Sequence, residues 1–256
     1  MKKLLLSICL GLAMILTGRF ARAQNPVKPK FKVLAIAEIG GGHVLFTAAA
    51  KIWLNQLAAD SNFTIDYITD TKTITKELLA NYQLFIQLNY PPYPWGKEAQ
   101  EAFEDYIEKG GGGWIGFHHP TLLGVFDGYP MWQWYSDFMG GIMFKDYLPG
   151  GAAAKLTVED KDHPAMKGIT ASFITRDEWY LYNKSPRANV RVLASIDEST
   201  FDPPKDKKMG DHPVIWTNER VKARNIYIAM GHFPELFKDE NFTALFKNAI
   251  FWAAKK

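Results

Sequence analysis

Between Phe31 and His119 the chain repeats one pattern, in which a short apolar run rich in strand formers gives way to a turn and then to a helix-period segment. Phe31 to Ala37 is the first run, and Gly40-Gly41-Gly42 leads from it into a helical pattern over 43–59. Strands are predicted again at 63–69, 82–89 and 113–119, separated by helices at 75–80 and 97–109. Such alternation dictates a mainly parallel sheet with helices on both faces. The second half is less regular. An aromatic-rich segment, 129–139, reads as a helix ended by Gly140-Gly141, and strands then dominate at 155–159, 173–182, 190–196, 213–217 and 225–230 before a closing helix over 235–254. With no repeat, low-complexity tract or linker, 31–256 reads as one α/β domain.

The N-terminus has a different character. Lys2 and Lys3 precede an apolar run from Leu4 to Leu16, and Ala21-Arg22-Ala23 follows, which is the layout of a cleavable signal peptide over 1–23. The run is too short for a permanent membrane anchor. Residues 24–30 then read as an exposed leader, and the mature protein is expected in the periplasm or outside the cell. Cleavage would remove Cys9, the single cysteine, and with it any disulfide, thiolate metal site or cysteine nucleophile. It would also remove Lys2, Lys3, Arg19 and Arg22 without an acid, so the formal charge of +3 falls to near −1. No basic run remains to favour nucleic acid or a membrane surface.

Ligands of open parallel sheets bind beyond the carboxyl ends of the strands. His43 follows the first predicted strand, Asn89-Tyr90 the third, His118-His119 the fourth and His232 the last. Four of the six histidines therefore fall at one expected edge. A neutral imidazole there can take a proton near pH 7 or bind a divalent metal, or simply fix a turn. Alternation along a strand would send His118 and His119 to opposite faces unless the turn has already begun. His163 and His212, each before a proline, read as turn histidines. Glu178 could orient an imidazole, ligate a metal or act as acid or base, whereas Asp177 reads as an exposed strand residue. The run Gly110–Gly113 ends a helix and precedes a strand, the reverse of a phosphate cradle. Trp95, Trp132, Trp134 and Tyr135 could line a rim that stacks on sugar rings, with Tyr90 and Trp132 the preferred ligand contacts. Trp53, Trp216 and Trp252 suit the core.

An ordered series of short motifs, Gly110–His118, Met139-Gly140-Gly141, Asp162-His163-Pro164, Asp177-Glu178-Trp179-Tyr180, Pro213–Trp216 and Gly231-His232, resembles the ThuA-like (trehalose utilisation) proteins from about Phe31 to Ala254. The resemblance implies a flavodoxin-like three-layer sandwich related to class I glutamine amidotransferases, and a link to carbohydrate metabolism. Gly116–Pro120 falls where those amidotransferases carry the nucleophile elbow, but His118 stands in place of cysteine, which excludes thiol acyl transfer. The expectation is an exported protein acting on a sugar or oxidised sugar derivative. His118, His232 and Glu178 would be catalytic groups or ligands of a divalent metal such as zinc, with His43, Tyr90 and Trp132 contacting the substrate. The alternative is a non-catalytic saccharide-binding module that serves a partner enzyme.

Overall fold

The computed structural model describes residues 28–255. The expected signal peptide and most of the expected leader lie outside them. The elements follow in the order β1 (Lys32–Ala37), α1 (Val44–Ser61), β2 (Thr64–Ile68), α2 (Lys76–Leu79), β3 (Leu84–Leu88), α3 (Lys97–Glu108), β4 (Gly113–Phe117), α4 (Gln133–Phe138), β5 (Phe144–Tyr147), β6 (Ala152–Val158), β7 (Ser172–Asp177), β8 (Tyr180–Tyr182), β9 (Arg191–Asp197), β10 (Pro213–Thr217), β11 (Asn225–Ile228) and α5 (Glu240–Ala253).

Nine strands form one sheet in the order β2-β1-β3-β4-β11-β10-β9-β6-β7. The first five are mutually parallel and the remaining pairings antiparallel. The parallel strands β3, β4 and β11 are buried along their whole length, as strands covered on both faces must be. Alternation decides what covers each face. On β4, Trp114 packs against Phe103 of α3 and Phe138 of α4, while Phe117 packs on the other side against Phe242 and Phe246 of α5. A Cβ on Gly113 would lie 2.2 Å from the carbonyl oxygen of Ala253, so the end of the glycine run serves close packing of α5 on the sheet.

Three segments differ from the sequence reading. The expected strand 173–182 is two strands: β7 ends where the Asp177 carboxylate turns in to accept backbone N–H groups, and β8 leaves the main sheet to pair with β5, which the sequence did not reveal. In 129–139 only Gln133–Phe138 is α-helical, because Asp127 and Gly128 adopt positive φ and Pro130 holds Tyr129 out of the helical region. The closing helix is interrupted: Pro234–Lys238 is a 3-10 turn, and Asp239 then caps α5 by accepting from the amides of Asn241 and Phe242.

Between β1 and β3 the strand order reverses, since the chain passes to one side of β1 for β2 and to the other for β3. The loops after these strands carry Glu38, His43 and Asn89 at the carboxyl edge, where ligands of such sheets bind.

Candidate metal centre

His118 is the first residue past β4, and its backbone lies at φ 59°, ψ −85°, a conformation that costs a non-glycine residue energy. The surroundings hold it there. Its amide donates to Ile228 O, while Tyr227 Oη and Thr121 Oγ1 donate to its carbonyl at 2.9 and 3.1 Å. Gly231 approaches so closely that an added Cβ would lie 2.8 Å from the Cβ of His118. Because this elbow turns the chain at once into a 3-10 turn at His119–Thr121, His118 and His119 do not diverge as strand alternation would require. Their rings lie 5.3 Å apart and nearly parallel.

His43 joins them from the N-terminus of α1, where its side chain makes no capping hydrogen bond. Its ring lies 5.0 Å from that of His118, 4.1 Å from His119 and 4.5 Å from His232, which follows β11. Glu178, just past β7, places Oε2 3.4 Å from His118 Nε2 and 3.5 Å from His232 Nδ1. Donor atoms of His43, His118, Glu178 and His232 all lie within 4.8 Å of one another. Both ring nitrogens of His43, Nε2 of His118 and Nδ1 of His232 are buried with no hydrogen-bond partner. Buried polar atoms are normally satisfied, so the orphaned nitrogens that His43, His118 and His232 bring to this cluster call for an electrophile. Three imidazoles and one carboxylate are a donor set that suits a divalent cation such as zinc.

The surrounding groups fix the protonation of this set. His118 Nδ1 donates to Ala229 O at 2.9 Å and His119 Nδ1 to Asn89 O at 2.8 Å, which leaves each Nε2 with its lone pair. Burial lowers His118 to about 4 and His119 well below the usual range, so both rings are neutral at pH 7. Burial alone would raise Glu178, but His118 and His232 outweigh it and hold the carboxyl down to about 2. His232 is raised, chiefly by Glu178.

The sequence reading is corrected at several positions. Asp177 is fully buried rather than exposed, because its carboxylate accepts from the amides of Glu178, Gly231 and His232 at 2.8, 3.0 and 3.2 Å. Burial pushes it up to about 7 against those three donors. Trp132 is 7% exposed, donates to Glu104 through Nε1 and packs against Trp95, Phe103 and Tyr135, so it contributes to the core and not to the histidine cluster. Tyr135 is buried beside it, and Trp134 donates to Glu108. Tyr90 does reach open space, on a cavity of about 510 Å³ shared with Tyr129, Thr71 and the edge of Trp95. The residue before it, Asn89, binds His119. Sequence reasoning missed Glu38 and Tyr180. Glu38 Oε2 lies 3.5 Å from His43 Nδ1 and 3.7 Å from His119 Nδ1, and the Tyr180 ring covers His118 at 4.1 Å. Glu38 follows β1 at the same edge as the histidines, and that position was the available signal.

The profile of the trehalose-utilisation family ThuA matches residues 32–253, nearly all of the described chain. The chain belongs to the ThuA family. A ThuA-like protein from Bacteroides uniformis ATCC 8492 has a similar structure, with a TM-score of 0.78 and 32% identity over 91% of this chain and 94% of its own. A ThuA-like protein from Parabacteroides merdae ATCC 43184 is similar at a TM-score of 0.61 and 20% identity, covering 89% and 91% of the two chains. PurLQS from Thermotoga maritima, at 13% identity and a TM-score of 0.51 over 88% of this chain and 99% of that one, shares the fold. No curated protein matches. The ThuA assignment gives the chain a general role related to trehalose utilisation and a fold of the class I glutamine amidotransferase type.

Proposed function

We propose that this ThuA-family chain is an exported protein of carbohydrate metabolism that acts on a sugar or oxidised sugar derivative at a divalent-metal centre held by His43, His118, Glu178 and His232. The observation that carries this reading is the convergence of four donors from four separate strand ends, with their buried nitrogens unpartnered. A divalent ion bound there supplies Lewis acidity toward a carbonyl or hydroxyl oxygen. The chain's own groups prepare the rest. Ala229 O and Asn89 O set the tautomers of His118 and His119, and burial keeps both rings neutral. His119, outside the four-donor set, keeps an unprotonated Nε2 that can accept a hydrogen bond. Tyr180 packs on the ring of His118, and Tyr90, one residue past the Asn89 that holds His119, lines with Tyr129 a cavity whose aromatic surface suits sugar rings. Export is supported by the N-terminal sequence pattern. Among the described residues no helix is long and apolar enough to cross a membrane.

The test is metal analysis of tag-free protein together with turnover of a panel of disaccharides and their oxidised derivatives. About one equivalent of metal is expected, with loss of metal and at least a ~100-fold loss of turnover in His118→Ala and His232→Ala. Metal-free protein with unchanged turnover in both variants would overturn the proposal. Saccharide binding without conversion would point to the binding module instead.

A further inference from the structure

Every imidazole that offers Nε2 to a metal needs its Nδ1 proton held elsewhere, and in this cluster the holders differ. His118 and His119 use backbone carbonyls, those of Ala229 and Asn89. His43 has no carbonyl partner: Nδ1 and Nε2 are both buried and unpaired. The acceptor that faces its Nδ1 is Glu38 Oε2, at 3.5 Å. That oxygen is itself buried and without a hydrogen-bond partner. His119 Nδ1 lies 3.7 Å from the same oxygen but is already committed to Asn89 O at 2.8 Å, so the proton open to Glu38 is the one on His43. Among the described residues no lysine or arginine pairs with Glu38, which leaves its charge for the imidazoles.

The connecting chain permits the two groups to close. Glu38 and His43 flank Gly40-Gly41-Gly42, and an added Cβ at Gly40 or Gly42 would meet nothing within 4 Å. A shift of roughly half an ångström or more, small for a free glycine loop, would bring the pair to ordinary hydrogen-bond length.

We propose that Glu38 is the positioning residue for His43: its carboxylate accepts a hydrogen bond from the Nδ1–H of that ring, fixes the tautomer and leaves Nε2 as the donor to the cation. This rests on the metal-centre reading above. It makes β1 and its glycine loop a ligand arm with an orienting carboxylate at its base, a carboxylate–histidine–metal relay that the other histidines do not share.

The experiment is a competition titration of zinc against a chromophoric chelator, with wild type, Glu38→Gln, His43→Ala and the double variant, each checked for folding by melting of the metal-free protein. Glu38→Gln is expected to weaken zinc binding about 10–100-fold. In the His43→Ala background the same change should alter affinity less than about twofold, because a residue that acts only through His43 has nothing left to act on. The cobalt-substituted Glu38→Gln protein should keep the absorption bands of wild type, since no ligand is lost. Glu38→Asp, which withdraws the carboxylate by one carbon, should behave like the glutamine variant. Equal losses in both backgrounds, no loss in either, or a second zinc equivalent that disappears in Glu38→Gln would overturn the assignment while leaving the metal centre standing. Zinc-free wild type would remove both.

Discussion

His118 occupies a closely packed, strained position. Its positive φ is tolerated because Tyr227 and Thr121 hold its carbonyl and because Gly231 leaves room for its Cβ. Gly231→Ala should therefore destabilise the protein by about 1–3 kcal/mol, the range for overpacking a filled site. It should also weaken zinc binding by displacing the ring; urea unfolding and zinc titration of the variant check the two effects separately. The sequence made His118, His232 and Glu178 legible because residue type and strand-end position coincide there. Asp177 and Glu38 were not legible for a physical reason. A carboxylate that serves backbone amides or an imidazole carries no pattern of its own, and only folding shows that Asp177 faces Gly231 and His232 and not water.

Among the elements, the turn that ends β7 connects the antiparallel half of the sheet to the metal centre. Asp177 gathers the amides of Glu178, Gly231 and His232, so one side chain sets the position of two of the four donors. Asp177→Ala leaves those three N–H groups, two of them buried, unpaired. At about 1–3 kcal/mol each, a loss of several kcal/mol is expected, and zinc affinity should fall with it. Asp177→Asn keeps one acceptor oxygen, so a smaller loss is expected; chemical denaturation of the two variants beside wild type measures the difference. The alternating elements up to β4 were readable from their periods, because each strand is an apolar run of fixed length between turn residues. β5 and β8 were not, since a two-stranded ribbon of short, mixed segments, FKDY and YLY, has no period long enough to register. The 3-10 turn before α5 was hidden by the same helical pattern that announced α5.

For the whole molecule, buried titratable groups set the response to acid. An unfolded histidine takes its proton near pH 6.5. In the folded chain burial lowers His118 and His163 to about 4 and His119 well below its usual value. The unfolded state thus binds more protons between pH 6.5 and 4, and stability falls as pH falls through that window. Asp177, raised from 3.8 to about 7, acts in the opposite direction within this window, and the raised His232 acts only above pH 6.5, so three depressed rings outweigh one carboxyl. The metal-free protein should accordingly lose stability steadily from pH 6.5 to 4. His163→Asn, remote from the metal donors in sequence and packed on Trp252, should lessen the slope; unfolding curves at several pH values test both statements. The sheet class was legible at this scale from alternation alone, whereas the strand order was not, because which strands become neighbours depends on long-range pairing. That order has a kinetic consequence. β11 inserts between β4 and β10, and His232, the final donor in the sequence, trails it. A folding chain can therefore present Glu38, His43 and His118 early, yet the coordination sphere closes only when its last parallel strand has docked, so metal uptake during refolding would time the insertion of β11.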